Sequence, residues 1–242
     1  MHRFFLHNQT VAKEIIVISE KNQVHHIKDV LRLNVQEDII AFDAKGNEYN
    51  CAIEEFLPES VILKVKDIRK FIPSQMTKIT VACAIPKKSK MDDIIDRLTQ
   101  LGVERIIPLL TERVIVKWDE KQKLLRQKRW EKISLSAAQQ SQRNVLPIID
   151  PVKTIKEVLA QAKNYDLKLI PTLYGERKSC KDVLSKSNFH DILILIGPEG
   201  DFSLDEVNFS RQAGCIPVSL GDLVLRVETA AVAIASFIRL YA

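Results

Sequence analysis

Apolar residues follow two rhythms along this chain of 242 residues. In the first seventy or so they come in short runs separated by turn formers, the signature of strands and hairpins. Ile39-Ile40-Ala41-Phe42 leads into the turn Asp43-Ala44-Lys45-Gly46-Asn47, and Tyr49-Asn50-Cys51-Ala52-Ile53 follows it. Val61-Ile62-Leu63-Lys64-Val65 supplies another strand after Leu57-Pro58-Glu59-Ser60. Between the early strands, Val24, Ile27, Val30 and Leu31 are spaced as one face of a helix. Residues 1–72 are therefore expected to form a small β-barrel with one short helix.

The rhythm changes after Phe71-Ile72-Pro73-Ser74, whose proline and polar neighbours suit a linker. Ile79 to Ile85 is an apolar strand. Ser89, with Asp92 three residues on, suits the start of a helix with the stripe Met91, Ile94, Ile95, Leu98 and Leu101, and Gly102 suits its stop. Val103 to Leu110, Leu167 to Leu173, the continuous run Asp191 to Ile196, and Ile216 to Leu220 read as further strands. Helices are expected over about 121–142, near Cys180 to Ser185, from a capping box at Ser203 and Glu206 to Gly214, and from Val227 to Tyr241. Strand and helix alternate throughout, and a continuous apolar strand suits a sheet covered on both faces. Residues 73–242 are thus expected to be a parallel α/β domain.

Composition narrows the class. Hydrophobic residues make up 46% and charged residues 28%, which excludes a disordered chain. The four cysteines are far apart and no CxxC pair exists, so no structural zinc site is expected. The start Met1-His2-Arg3-Phe4-Phe5-Leu6 is followed by polar residues, not by the apolar stretch of about 7–15 that marks a secretory signal. No apolar run approaches the ~18 residues of a membrane span. A cytoplasmic protein with reduced thiols, no metal and no membrane partner is the expectation.

Charge is uneven. The net charge is +5, and residues 117–143 alone hold eight basic groups against three acidic ones. Such a stretch fits either the electrostatic footprint of a phosphate backbone or a solvated helix face.

Candidate chemistry sits where three strands of the second domain end, because open α/β sheets bind ligands beyond the carboxyl ends of their strands. The loops are Thr172-Leu173-Tyr174-Gly175-Glu176, Gly197-Pro198-Glu199-Gly200-Asp201 and Leu220-Gly221-Asp222-Leu223-Val224-Leu225-Arg226. Four of the seven glycines of the chain fall in them, where they either let a backbone approach a ligand or simply make turns. No GxxxxGK[ST], no GxGxxG and no Gly-x-Ser-x-Gly elbow is present, so the site is not built for ATP, NAD or acyl transfer.

Gly197-Pro198-Glu199-Gly200, Ser219-Leu220-Gly221 and Leu225-Arg226-Val227-Glu228-Thr229-Ala230 together resemble the C-terminal signature of SPOUT-class methyltransferases. They resemble in particular the bacterial 16S ribosomal RNA uracil-N3 methyltransferase family. Four further segments agree: Arg3-Phe4-Phe5, Val30-Leu31-Arg32-Leu33, Leu101-Gly102-Val103 with Pro108 and Glu112-Arg113, and Trp130 with Ala138-Gln139-Gln140-Ser141-Gln142-Arg143 and Leu146-Pro147. Two positions depart from the family pattern. Asp201 stands where a second glycine is usual, and Val227 where threonine is usual. A carboxylate at 201 is expected either to restrict backbone approach or to place negative charge near the cofactor.

The resemblance implies a PUA-like RNA-binding barrel followed by a trefoil-knotted α/β methyltransferase domain acting as a homodimer. It implies S-adenosylmethionine held by Thr172, Leu173, Gly175, Gly197, Pro198, Glu199, Gly200, Leu220, Gly221, Leu225, Arg226 and Thr229, with the leucines forming the adenine slot. Uracil N3 must lose a proton to be methylated, so a base or a cation is needed. Arg143, Arg226 and Glu228 are the candidates; a phosphate contact, a loop-bracing salt bridge and a helix N-terminal carboxylate are their respective alternatives. Arg3, Arg32, Lys128, Arg129 and Arg143 are the expected RNA contacts, and 16S ribosomal RNA within the small ribosomal subunit the expected partner. Ribose 2′-O methylation and non-catalytic RNA binding are the rival functions. The final helix, with Val232, Ile234, Ala235, Ile238 and Leu240, is expected to leave apolar surface for a second copy of the chain.

Overall fold

Alternating burial along residues 38–69 builds the first sheet. The computed structural model describes residues 1–7, 14–71, 76–87, 90–114, 118–186 and 189–241. The linker at Pro73 and the cap at Ser89 lie outside them. The chain divides into two units, Met1–Ser74 with Ala138–Leu146, and Gln75–Ala137 with Pro147–Ala242.

The first unit contains β1 (His2–Leu6), β2 (Ile15–Ile18), α1 (Lys21–His25) running into a π turn (His26–Val30), β3 (Asp38–Asp43), β4 (Glu48–Leu57) and β5 (Ser60–Arg69). Strand order is β1-β3-β4-β5-β2, with β1 parallel to β3 and the other pairs antiparallel. Phe4, Ile16, Ile39, Ile53 and Leu63, one from each strand, meet Val24 and Ile27 in a single buried cluster. The helical stripe expected over 24–31 is only half used. Val24 and Ile27 are buried, but Val30 is 58% exposed. A π turn carries more residues per turn than an α-helix, so position 30 rotates off the face that 27 occupies. Arg32, exposed just beyond, takes a left-handed conformation at φ +52°.

The second unit runs β6 (Lys78–Ala84), α2 (Lys90–Gln100), β7 (Arg105–Leu110), α3 (Glu120–Gln140), β8 (Ile148–Ile149), β9 (Lys153–Thr154), α4 (Ile155–Leu159), β10 (Leu167–Pro171), β11 (Lys178–Ser179), α5 (Cys180–Leu184), β12 (Asp191–Ile196), α6 (Leu204–Gln212), β13 (Ile216–Ser219) and α7 (Val227–Tyr241). The last residues of α3 fall in the segment assigned to the first unit. Every strand pair here is parallel, in the order β11-β13-β10-β12-β6-β7-β8, with β9 also on β7. The unbroken apolar run of β12 now has its reason. Ile192, Ile194 and Ile196 enter the core on one face of the sheet, and Leu193 and Leu195 the core on the other.

One expectation about α7 is corrected. Ile234, Ala235 and Ile238 are at most 1% exposed and belong to the chain's own core. The helix packs them beneath α2 and the sheet, so its exposed apolar surface is Ala233, Phe237, Leu240 and Tyr241, with Val232 half-buried.

Candidate functional site

Three neighbouring strands end at one level. Pro171 of β10 is in register with Val218 of β13, and Leu169 with Ile194 of β12, so Pro171, Val218 and Ile196 form one rim. The loops that leave these ends surround an open pocket with about 600 Å³ of space, its mouth included. Ile196, Val218, Val227 and Ala230 give it an apolar side, and Leu173, Leu220, Leu223, Val224 and Leu225 bring further apolar surface from the loops. Leu223 and Val224 are 80% and 71% exposed, two adjacent apolar side chains at the pocket's edge.

Asp201 organises this rim. It is non-glycine at φ +61°, the left-handed region, which accounts for glycine being usual there and for aspartate being among the tolerated replacements. Its carboxylate accepts from the Thr172 hydroxyl at 2.8 Å, from the Leu173 N–H at 2.6 Å and from the Phe202 N–H at 2.7 Å. The charge at 201 therefore does not crowd the loop; it ties the 172–176 loop to the 197–201 loop and lines the pocket. Arg177 adds a bond to the Thr172 carbonyl at 3.2 Å. Gly197 is tightly packed: a Cβ would meet the Phe202 ring at 3.0 Å and push it aside. Gly221 is the opposite case: φ is +118°, and a Cβ there would meet nothing within 4 Å.

Eight of the twelve expected cofactor residues line the pocket: Thr172, Leu173, Gly197, Pro198, Glu199, Leu220, Gly221 and Leu225. Gly175, Gly200, Arg226 and Thr229 lie in the same loops or the first turn of α7 without lining it. Asp201, expected from the sequence only as a departure beside the cofactor, also lines it, as do Arg177, Leu223, Val224, Val227 and Ala230, which were not singled out for it; the apolar run 223–225 inside a loop was the legible signal.

The catalytic candidates separate. Arg226 is exposed, one residue before α7. Glu228, in the first turn of α7, accepts from Lys90 Nζ at 2.7 Å, and its second oxygen, Oε2, is buried without a hydrogen-bond partner among the described residues. Burial alone would raise its carboxyl, but the Lys90 bond, a backbone bond and the charges of Lys90 and Arg226 hold it below the usual 4.5. Arg143 belongs to the first unit, after Gln142 at φ +60°, and its N–H bonds the Ala138 carbonyl.

The basic groups also divide. Lys128 is exposed and has no ion-pair partner among the described residues. Its neighbour Arg129 is paired with Asp92 at 2.7 Å, and Asp92 also takes a bond from the indole of buried Trp130. In the first unit Arg3 is not presented to solvent. Its side chain is 6% exposed, paired with Glu48 at 3.0 Å, stacked over Phe42 and bonded to Asn144.

All four cysteines are buried and unbridged. Burial pushes Cys51 and Cys180 up to about 11 and Cys215 up to about 12, and Cys83 further still. None is a thiolate nucleophile near neutral pH. Among the described residues, no group of metal-ligating side chains occurs and no helix is long and apolar enough to cross a membrane.

Comparison with known proteins places this geometry. Residues 73–239 match the RNA methyltransferase domain family, and residues 18–66 the RNA methyltransferase PUA domain. A ribosomal RNA small subunit methyltransferase E from Rickettsia conorii is 30% identical, over 99% of this chain and 95% of its own. A methyltransferase structure from Legionella pneumophila with the bound cofactor SAM superposes with TM-score 0.88 at 28% identity, over 98% of this chain and 96% of that one. A ribosomal RNA small subunit methyltransferase E from Neisseria gonorrhoeae bound to S-adenosyl methionine gives TM-score 0.86 at 27% identity, over 99% and 97%. With its α/β domain matched over most of the chain and a PUA domain before it, the protein belongs to the RNA methyltransferase family.

Proposed function

We propose that this chain methylates N3 of one uridine of 16S ribosomal RNA, with S-adenosylmethionine as donor. In this reading residues 1–72 are the RNA-binding PUA-like domain and residues 73–242 the catalytic domain, knotted as a trefoil. The working form is a cytoplasmic C2 homodimer, and the substrate is the assembled small ribosomal subunit. The observation that carries the reading is the pocket at three adjacent strand ends, in a chain whose relatives of the same length bind S-adenosylmethionine.

The residues fit such a cofactor. The space beside Gly221 is one a side chain would fill, so a ligand can lie against that backbone. Leu173, Leu220 and Leu225 offer an apolar slot for a neutral adenine. When bound, the cofactor supplies an electrophilic methyl group on a sulfonium.

The chain's own part is positioning and charge. Holding the acceptor nitrogen in line with the sulfur–methyl bond supplies much of the rate. As the sulfur–methyl bond breaks and the N3–methyl bond forms, the N3 proton would pass to solvent water, and a nearby cation favours the uracil anion that this loss leaves. Arg226, exposed beside the pocket-lining Leu225, is the cation this reading assigns to that charge. Glu228, its carboxyl held below the usual range and bonded to Lys90, is assigned instead to hold Lys90 and the start of α7. Arg32, Lys128 and Arg143 are assigned to RNA phosphates. Arg3 instead braces the segment that carries Arg143 through its bonds to Asn144 and, by its carbonyl, Gln139.

Incubating the purified protein with small subunits and labelled S-adenosylmethionine, then digesting to nucleosides, tests the reading. 3-Methyluridine is the expected product. A ribose-methylated nucleoside would replace it by the rival specificity, and absence of both calorimetric cofactor binding and methyl transfer would leave a binding protein. Light scattering at micromolar concentration should give a dimer.

A further inference from the structure

Arg113 follows β7 in an exposed segment, and its neighbour Glu112 is pinned by a bond from its N–H to the Glu206 carboxylate at 2.9 Å. From there its guanidinium reaches two of the three pocket loops at once. Nη1 donates to the Tyr174 hydroxyl at 3.2 Å and to the Gly200 carbonyl, and the guanidinium carbon lies 6.0 Å from the Tyr174 ring centroid. Arg113 does not line the pocket.

We propose that Arg113 is a positioning residue for the cofactor, an outer clamp that holds the Tyr174 and Gly200 loops at the spacing the pocket requires. This rests on the pocket being the S-adenosylmethionine site. The same two loops are tied on the inside by Asp201, through Thr172 and Leu173. One tie leaves the loops free to hinge about it; a second tie, from a residue outside the pocket lining, fixes their separation. The 172–176 loop has an exposed tip, with Leu173, Gly175 and Glu176 open to solvent, and beyond that tip Arg211 of α6 donates to the Glu176 carbonyl at 3.2 Å. Arginine suits the task because its Nη1 carries two N–H donors, one for a carbonyl and one for a phenol, while the guanidinium stays within 6.0 Å of the same tyrosine's ring centroid. Preorganising a loop strengthens binding by removing ordering cost from the binding step.

The test measures S-adenosylmethionine binding by calorimetry for wild type, Arg113→Ala, Arg113→Lys, Tyr174→Phe and the Ala/Phe double variant, with Tm for each. Removing a preorganising clamp should weaken binding roughly tenfold for Arg113→Ala and about threefold for Tyr174→Phe. The double variant should lose less than the product of the two, because both substitutions break one contact. Lysine should recover part of the loss, since its three-donor ammonium can reach the Gly200 carbonyl or the phenol but lacks the guanidinium that lies beside the Tyr174 ring. In turnover, KM for the cofactor should rise while kcat at saturation and KM for the small subunit stay near wild type. Wild-type affinity in Arg113→Ala overturns the clamp alone, and so does a loss matched by a fall in Tm. Failure of wild type to bind S-adenosylmethionine overturns the site and the clamp together.

Discussion

The Asp201 carboxylate accepts the N–H of Leu173 at 2.6 Å, across 28 residues of sequence, and so joins the ends of two parallel strands. Asparagine at 201 keeps the size and the tolerance for a left-handed backbone, but turns an NH2 toward donors that need an acceptor. Asp201→Asn should cost about 1–3 kcal/mol of stability, the penalty for an unpaired buried donor. Affinity for S-adenosylmethionine should fall more than affinity for S-adenosylhomocysteine, because only the first carries the sulfonium charge. Denaturant melts and paired calorimetric titrations check both; equal losses for the two ligands would confine Asp201 to bracing.

The Lys90–Glu228 pair links the starts of α2 and α7 and gives a pH dependence with a definite sign. The Glu228 carboxyl is held below 4.5 in the folded chain. Its contribution is therefore full above the unfolded value and is lost as pH falls through the lower folded value. Stability of the wild type should drop on acidification below about pH 4.5 more steeply than that of Glu228→Gln, with the two curves converging in acid. Parallel acid limbs would show that the pair does not contribute.

Much of the fold was legible because single elements carry their own signals. The continuous apolar run of β12, the Ser203–Glu206 capping box and the stripe of α2 each specify their element locally. The strand-end loops were legible from glycines in a glycine-poor chain. What was hidden lies in contacts between distant segments or in elements too short for periodicity. Helix α4 spans five residues, and only its Thr154–Glu157 capping box marks it. The π turn that exposes Val30 leaves no trace in the spacing of apolar residues. Arg3 and Arg129 carry charge in the sequence, but Glu48 and Asp92, which engage them, come from other elements. Asp201 stood out only as a departure from a family pattern; its donors at 172 and 173 are set by the register of β10 beside β12.

Gly221 separates space from strain. Valine at φ +118° is strained whatever room it has, while the loop around it is exposed and packs against nothing within 4 Å of a Cβ. Gly221→Val should therefore abolish S-adenosylmethionine binding while lowering Tm by only a few degrees, the loop absorbing the distortion at about 1–2 kcal/mol. Retained binding in calorimetry would move the cofactor away from this backbone.

Lys128 and Arg129 are adjacent in α3, similar in exposure and different in engagement. Among the described residues Lys128 has no ion-pair partner, whereas Arg129 holds Asp92, which in turn holds the Trp130 indole. Reversing Lys128 to Glu should leave Tm unchanged. If α3 contacts RNA phosphates, it should also reduce the slope of log affinity against log salt by roughly 0.7–0.9, the counterion released per lost contact. Reversing Arg129 should do something else as well: it places a carboxylate beside Asp92, so Tm should fall, and the loss of RNA binding will mix charge with structure. The two variants therefore need to be compared at several salt concentrations alongside their melting curves. A flattened slope in Lys128→Glu with an unchanged Tm assigns the basic face of α3 to RNA, while a wild-type slope reduces it to a solvated surface.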